Sequence, residues 1–378
     1  MDLNQTATPG YAFSPSQATA GGDPERSPLF PHHPAATAQN LIATAQALVN
    51  PRGKGIYATD ETAEGIAARL TAAAGNESKE WTVDDQKERR KEWRRCLYET
   101  LPSEYISGVI LYHETLHDFG LAAILQERGI IPGIRADTDS HPLPISPLEP
   151  ATQGLDDLLP RLQASYLAGA RFSKWRAPFM VDSKNFPTQA AIEAQAESLA
   201  RFAAISQQAG LVPIVEPDVD FAADASLMKS VEAHVKIISA IYARLAAYGV
   251  LIEGTLIKPS FPQAGLKHPD RRNLTAKDVA LATATVLARS VPVGVAGVVF
   301  LSGGLEDEVA TDYLRALNSL VDSANSQSAF KRLPPLSFSF GRGLQGDAMK
   351  LWVKGDSKGA KEAFEKRAAV CYAATQGR

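Results

Sequence analysis

Two lysines and a few carboxylates carry most of the chemistry this sequence can do. Lys258 ends the apolar run Leu251-Ile252-Glu253-Gly254-Thr255-Leu256-Ile257 and is followed at once by Pro259. A buried strand reads this way, with the lysine at its carboxyl end. An amine held in an apolar, partly dehydrated place can lose its proton, attack a ketone and form a Schiff base. The iminium so formed is an electron sink that lets a neighbouring carbon–carbon bond break heterolytically. A lysine at a strand end can equally snorkel to water, so the rest of the chain has to decide. Lys174 and Arg176 stand two residues apart in one short run, and Glu216 and Asp218 two apart in another. Strand alternation puts each pair on one face. A second ammonium at Lys174 would favour the free amine of Lys258 by like-charge repulsion. Glu216, beside Pro213-Ile214-Val215, is the natural proton carrier, with Asp60 a second candidate.

These groups need a frame that brings strand ends together. Eight apolar runs of strand length end in polar or glycine residues: 54–60, 108–114, 130–137, 172–176, 212–218, 251–260, 297–303 and 336–342. Helical patterns separate most of them, over about 84–100, 154–169, 188–210, 225–248, 275 onward and 306–324, with another at 37–49 before the first run. Repeated strand–helix units predict an α/β fold, a single (β/α)8 TIM barrel over 34–378, with 132–150 as a long loop at the active face. Residues 1–33, rich in Gly, Pro, Ser, Thr and Ala, read as a disordered N-terminal arm.

In a closed barrel the last residues of the runs share one mouth: Asp60, Glu114, Arg135, Lys174, Arg176, Glu216, Asp218, Lys258, Ser302, Ser339 and Arg342. Ser302-Gly303-Gly304 and Gly341-Arg342-Gly343 follow the seventh and eighth runs, where barrels commonly bind phosphate. Their backbone N–H groups can approach an anion closely, and Arg342 adds a guanidinium.

Composition narrows the function class. The 378 residues carry a formal net charge of −3 with a pI near 6.2, which gives no footprint for nucleic acid or an acidic membrane surface. Cys96 and Cys371 lie far apart and form no metal or redox motif. The first 30 residues lack an apolar signal core, and no run reaches bilayer-spanning length, so a cytoplasmic protein is expected.

The motifs together are similar to those of the class I fructose-bisphosphate aldolases, the metal-independent, Schiff-base-forming type. They are Gly53-Lys54-Gly55-Ile56 with Asp60-Glu61, Gly108 to Leu111 with His113-Glu114-Thr115-Leu116, Thr152-Gln153-Gly154-Leu155-Asp156, Lys174-Trp175-Arg176, Val212 to Pro217, Glu253 to Leu256 with Lys258-Pro259, Phe300 to Gly304, and Ser339 with Gly341-Arg342. The resemblance implies reversible cleavage of fructose 1,6-bisphosphate to dihydroxyacetone phosphate and glyceraldehyde 3-phosphate. It implies catalytic roles for Lys258, Glu216, Asp60, Lys174 and Asp218, the last standing where the family usually has glutamate. It also implies substrate binding by Arg176, Arg135, Thr62, Arg69, Ser302, Gly303, Ser339, Gly341 and Arg342. No cofactor or metal is implied, and a homotetramer is. An aldolase for another acceptor aldehyde, or a barrel kept as a scaffold, are the alternative readings.

Departures from the family pattern cluster at one end of the substrate. Where the family usually reads Glu-Ser-Thr-Gly-Ser-Ile-Ala-Lys-Arg, this chain has Glu61 to Arg69 with Gly65 in place of a hydroxyl and Ala68 in place of a cation. Glu64 adds a negative charge and Arg135 replaces a lysine. These changes surround the expected site of the aldehyde-side phosphate. The family's tail ends in a tyrosine that assists proton transfer, whereas this sequence ends Gln376-Gly377-Arg378, so slower turnover is expected.

Overall fold

The computed structural model describes residues 26–27, 30–75 and 81–378. Eight parallel strands close into a barrel in chain order: β1 (Gly55–Thr59), β2 (Ile106–Leu111), β3 (Ile131–Arg135), β4 (Phe172–Phe179), β5 (Val212–Val219), β6 (Leu256–Ile257), β7 (Gly297–Phe300) and β8 (Leu336–Phe340). All eight fall within the expected runs or overlap them. Parallel neighbours need crossover connections, and helices supply them on the outside.

The main helices are α1 (Ala35–Val49), α2 (Ala63–Ala74), α3 (Val83–Tyr98), α4 (Ala122–Glu127), α5 (Leu158–Leu167), α6 (Gln189–Gln208), α7 (Leu227–Ala247), α8 (Ala276–Ser290), α9 (Asp307–Ser323), α10 (Arg342–Trp352) and α11 (Ser357–Thr375). Their starts are written in the sequence. Thr188 and Ser226 cap α6 and α7 by accepting backbone N–H groups, and Thr275 with Asp278 forms a reciprocal capping box on α8.

Two apolar regions hold the barrel. The larger lies between the strands and the helical ring, with Tyr57, Trp93, Trp175, Phe202, Phe300 and Phe340 buried in it. The smaller closes the amino-terminal end of the barrel. There α1 lays Leu41, Ile42, Ala45, Leu48 and Val49 against Ile56, Ile110, Phe172, Val212, Leu256 and Val299. Glycine makes room for this plug, because a Cβ at Gly297 would collide with Val49. With one end filled by hydrocarbon, the polar strand residues collect at the other.

Three expectations change. The run 251–260 is not one strand: Ile252–Gly254 forms a 3₁₀ turn, and only Leu256–Ile257 pairs in the barrel. Gln207 on α6 takes the hydrogen bonds a longer strand would use, accepting from Leu251 N at 2.9 Å and donating to Leu251 O at 2.8 Å. The stretch 132–150 is not a plain loop. Pro132 sits inside β3, and Ser140–Leu143 pairs antiparallel with Ser146–Thr152. The disordered arm expected at 1–33 lies mostly outside the described residues. Within it, Arg26–Ser27 and Phe30–Pro34 pair as a short antiparallel ladder, with His32 against the turn at Gly249.

Candidate active site

The carboxyl ends of the strands surround a cleft of about 280 Å³. Lys258 is fixed by its position one residue beyond the β6 pairing, where its backbone N–H donates to Val215 O at 2.8 Å. The next residue of β5 is Glu216, so one hydrogen bond brings the lysine and the carboxylate side by side. Glu216 Oε1 lies 3.4 Å from Lys258 Nζ, and Oε2 lies 3.2 Å from Lys174 Nζ. Lys174 also meets Asp60 at 2.6 Å and Asp137 at 3.8 Å. All three of Lys174, Glu216 and Lys258 are no more than 5% exposed.

Burial and charge act against each other in this cluster. Burial alone would raise the Asp60 carboxyl, but Lys174, Lys258, the hydrogen bond from Lys174 and Arg135 more than reverse it. Asp60 is therefore held ionised, well below the usual carboxylate range. Burial alone would lower Lys174, and Asp60, Glu216 and Asp137 reverse that, so its ammonium is held above the ordinary lysine value. The expected repulsion of Lys258 by Lys174 is thus screened by the carboxylate standing between them.

On the side of β4 and β5, Arg176 stands half-exposed at the rim of the cleft and donates to Asp218 at 2.7 Å. Across the mouth, the ends of β7 and β8 bring Ser302, Gly303, Ser339, Gly341 and Arg342 to one side of the cleft. Gly303 and Gly304 have positive φ angles of 55° and 89°, which lets the chain turn tightly after Ser302. A Cβ at Gly341 would stand 2.8 Å from Ala58 O, so this position packs directly on β1. Gly341 caps α10, whose first residue is Arg342, so a helix N-terminus and a guanidinium face the same opening. Arg342 makes no ion pair within 4 Å among the described residues. Ser339 Oγ, also lining the cleft, is buried without a hydrogen-bond partner among the described residues. A hydroxyl left so costs free energy that a polar ligand would recover.

Of the residues singled out from sequence, Asp60, Lys174, Glu216, Asp218, Lys258, Arg69, Arg135, Arg176, Ser302, Gly303, Ser339, Gly341 and Arg342 line this cleft. Two others do not. Thr62 is the N-cap of α2, its hydroxyl accepting from Gly65 N at 3.0 Å. Glu114 leaves the mouth for Arg90 on α3, which binds it through Nε at 3.0 Å and a terminal nitrogen at 2.6 Å.

Two residues outside the expected set matter as much. Asp137 accepts from Arg135 Nε at 2.7 Å and from Arg176 N at 3.1 Å while approaching Lys174, tying β3 to β4 beneath the cluster. It stands two residues after Arg135, and strand alternation could have found it. Glu61 binds Arg69 and the buried Arg94 at 2.7 Å each, and accepts from Gln345 Nε2 at 2.6 Å. No local spacing announces that network, because its members come from β1, α2, α3 and α10.

A family model for class-I fructose-bisphosphate aldolase, a glycolytic family, matches residues 40–378. The chain belongs to the class-I fructose-bisphosphate aldolase family. It is a lyase family, and the family model reaches from α1 to the end of the chain. Fructose-bisphosphate aldolase B of Gallus gallus is 38% identical over 349 residues, covering 90% of this chain and 88% of that protein. The fructose-bisphosphate aldolase of Dictyostelium discoideum is 39% identical, with 86% and 88% covered. A solved structure of the Plasmodium falciparum aldolase, in complex with TRAP and a small-molecule inhibitor, superposes with a TM-score of 0.82 at 36% identity. It covers 91% of this chain and 96% of that one. In this aldolase the carboxyl-end cleft described above is the opening where strand-end charges converge.

Proposed function

We propose that this aldolase cleaves fructose 1,6-bisphosphate reversibly to dihydroxyacetone phosphate and glyceraldehyde 3-phosphate, through a Schiff base on Lys258. The observation that carries this reading is the contact of Glu216 with both Lys258 and Lys174 in a buried cluster facing the Arg342 cradle.

Lys258 passes a proton to Glu216, and the resulting neutral amine attacks the C2 ketone, forming a C–N bond. Glu216 gives a proton to the carbinolamine oxygen, which departs as water and leaves the iminium. Asp60, held ionised by the surrounding cations, takes the proton of the C4 hydroxyl. The C3–C4 bond then breaks, its electron pair passing into the iminium to give an enamine, and the aldehyde leaves. Protonation at C3 and hydrolysis of the Schiff base release dihydroxyacetone phosphate and restore the amine. Lys174 holds Asp60 and Glu216 in place and compensates their charge.

The Ser302–Gly303 turn, Gly341 and Arg342, with the hydroxyl of Ser339, would hold the phosphate of the dihydroxyacetone half. Arg176, Arg135 and Arg69 are the cations left for the other phosphate. Asp218 orients Arg176, and Glu61 holds Arg69. A test is steady-state cleavage of fructose 1,6-bisphosphate beside fructose 1-phosphate. A bisphosphate preference supports the ordinary reading, and cleavage of neither compound by folded protein counts against it.

The family resemblance supports a homotetramer, which sedimentation equilibrium would test. The glycolytic family supports a cytoplasmic setting. Among the described residues no helix is long and apolar enough to cross a membrane.

A further inference from the structure

Beside the catalytic mouth, and sharing Arg135 as a wall with it, lies a cavity of about 690 Å³. That size is ordinary for a small-molecule site. Its walls come from three places: the single π-helical turn Glu114–Asp118 with the preceding Tyr112 and His113, the end of β3 with Asp137, and α5. Ile134, Ala136 and Leu162 give it an apolar side.

The polar side is set up for negative charge. Arg161 on α5 donates to two carbonyl oxygens, Ala136 O at 3.1 Å and Gly154 O. It has no carboxylate within ion-pair distance among the described residues. Two carbonyls orient a guanidinium without neutralising it, and partial burial makes its unpaired charge costly. His113, just before that turn, and His117 within it stand with ring centroids 4.5 Å apart. Ser165 Oγ donates to Arg161 O at 2.9 Å, so it accepts from His117 Nε2 at 3.2 Å. His117 Nδ1 is then an acceptor open to the cavity, and burial with the neighbouring His113 favours the neutral ring, so this nitrogen can receive an O–H but cannot donate to an anion. Arg135 is anchored through Nε by Asp137, which leaves its terminal nitrogens with only long contacts, 3.4 Å to Asp60 O and 3.3 Å to Thr138 O.

We propose that this cavity is a second anion site, separate from the catalytic cradle, taking a small organic phosphate whose charged oxygens are held by Arg161 and whose remaining P–O–H donates to His117 Nδ1. Arg135 contributes from the shared wall. The apolar side receives the carbon skeleton, while Asp137, whose charge reaches Arg161 from beyond ion-pair distance, is engaged by Arg135 at 2.7 Å.

Equilibrium dialysis with radiolabelled inorganic phosphate, on the full chain, tests this. The comparison is between unsubstituted protein, Arg161→Gln, Arg342→Ala and the double variant. Arg161→Gln should bind one phosphate fewer per chain with the catalytic cradle intact. Arg342→Ala should lose a different one, and the double variant both. Equal binding by Arg161→Gln and unsubstituted protein overturns the proposal, as does a double variant that loses no more than Arg342→Ala. Should Arg161→Gln fail to fold, His117→Gln carries the test: a dissociation constant raised several-fold supports the site, and an unchanged one removes it. Because no arm measures sugar cleavage, the result stands whatever the catalytic assay shows.

Discussion

Glu216 stands between two ammonium groups, with Oε1 3.4 Å from Lys258 Nζ and Oε2 3.2 Å from Lys174 Nζ. The two contacts separate two jobs. One oxygen can exchange a proton with chemistry at Lys258, while the other is ion-paired with Lys174 without a hydrogen bond among the described residues. Replacing Glu216 by Gln keeps the shape and removes the proton transfer, so kcat should fall by roughly 10²- to 10⁴-fold. Covalent trapping of a ketone on Lys258 should slow but persist. An unchanged kcat would remove Glu216 from the proton path.

Lys174 compensates three carboxylates at once, the buried Asp137 and Glu216 and the partly buried Asp60. Lys174→Met leaves them facing one another without their central cation. Breaking a buried ion pair from one side typically costs about 3–5 kcal/mol. Chemical denaturation should show a loss of that order, and Asp60→Asn added to Lys174→Met should recover part of it. A fully additive double variant would mean that the two groups are not coupled.

His234 makes stability depend on pH. It is buried on α7, with Nδ1 2.7 Å from Ser230 O and Nε2 3.1 Å from Ser260 Oγ, just past Lys258. Burial pushes it down to about 4 against an ordinary 6.5, despite hydrogen bonds to Ser230 and Ser260 and the charge of Asp218. The unfolded chain therefore takes up a proton near pH 6.5 that the folded one refuses until about 4. Its contribution is complete above pH 6.5 and is lost as pH falls toward 4, a change of roughly 3 kcal/mol. Denaturant midpoints of His234→Gln should be flatter across this window than those of the unsubstituted protein. Parallel curves would contradict the assignment.

The aldehyde end offers a gain-of-function test. Ala68 is exposed on α2, one residue before Arg69, and the family carries a cation there. Ala68→Lys should raise kcat/KM for fructose 1,6-bisphosphate several-fold while leaving fructose 1-phosphate nearly unchanged, since an exposed charge acts through solvent. Equal effects on both substrates would place the second phosphate elsewhere.

Much of this arrangement was legible in the sequence because strands enforce a period of two and a closed barrel gathers their ends. Lys174 with Arg176 and Glu216 with Asp218 follow from that rule alone. What escaped depended on partners remote in sequence. Glu114 looked like a mouth residue until α3 supplied Arg90. The run 251–260 looked like one strand until Gln207 of α6 took its backbone hydrogen bonds. Thr62 belongs to a helix cap, a local competition that residue type leaves open. Asp137 was within reach of the alternation rule, since it continues the face of Arg135.

The central claim is that Lys258 forms the Schiff base, and borohydride reduction with dihydroxyacetone phosphate, followed by peptide mapping, tests it most directly. The account predicts one phosphate-bearing adduct per chain on Lys258, absent from a folded Lys258→Ala variant. An adduct that persists in that variant, or one that maps to Lys174, would contradict it.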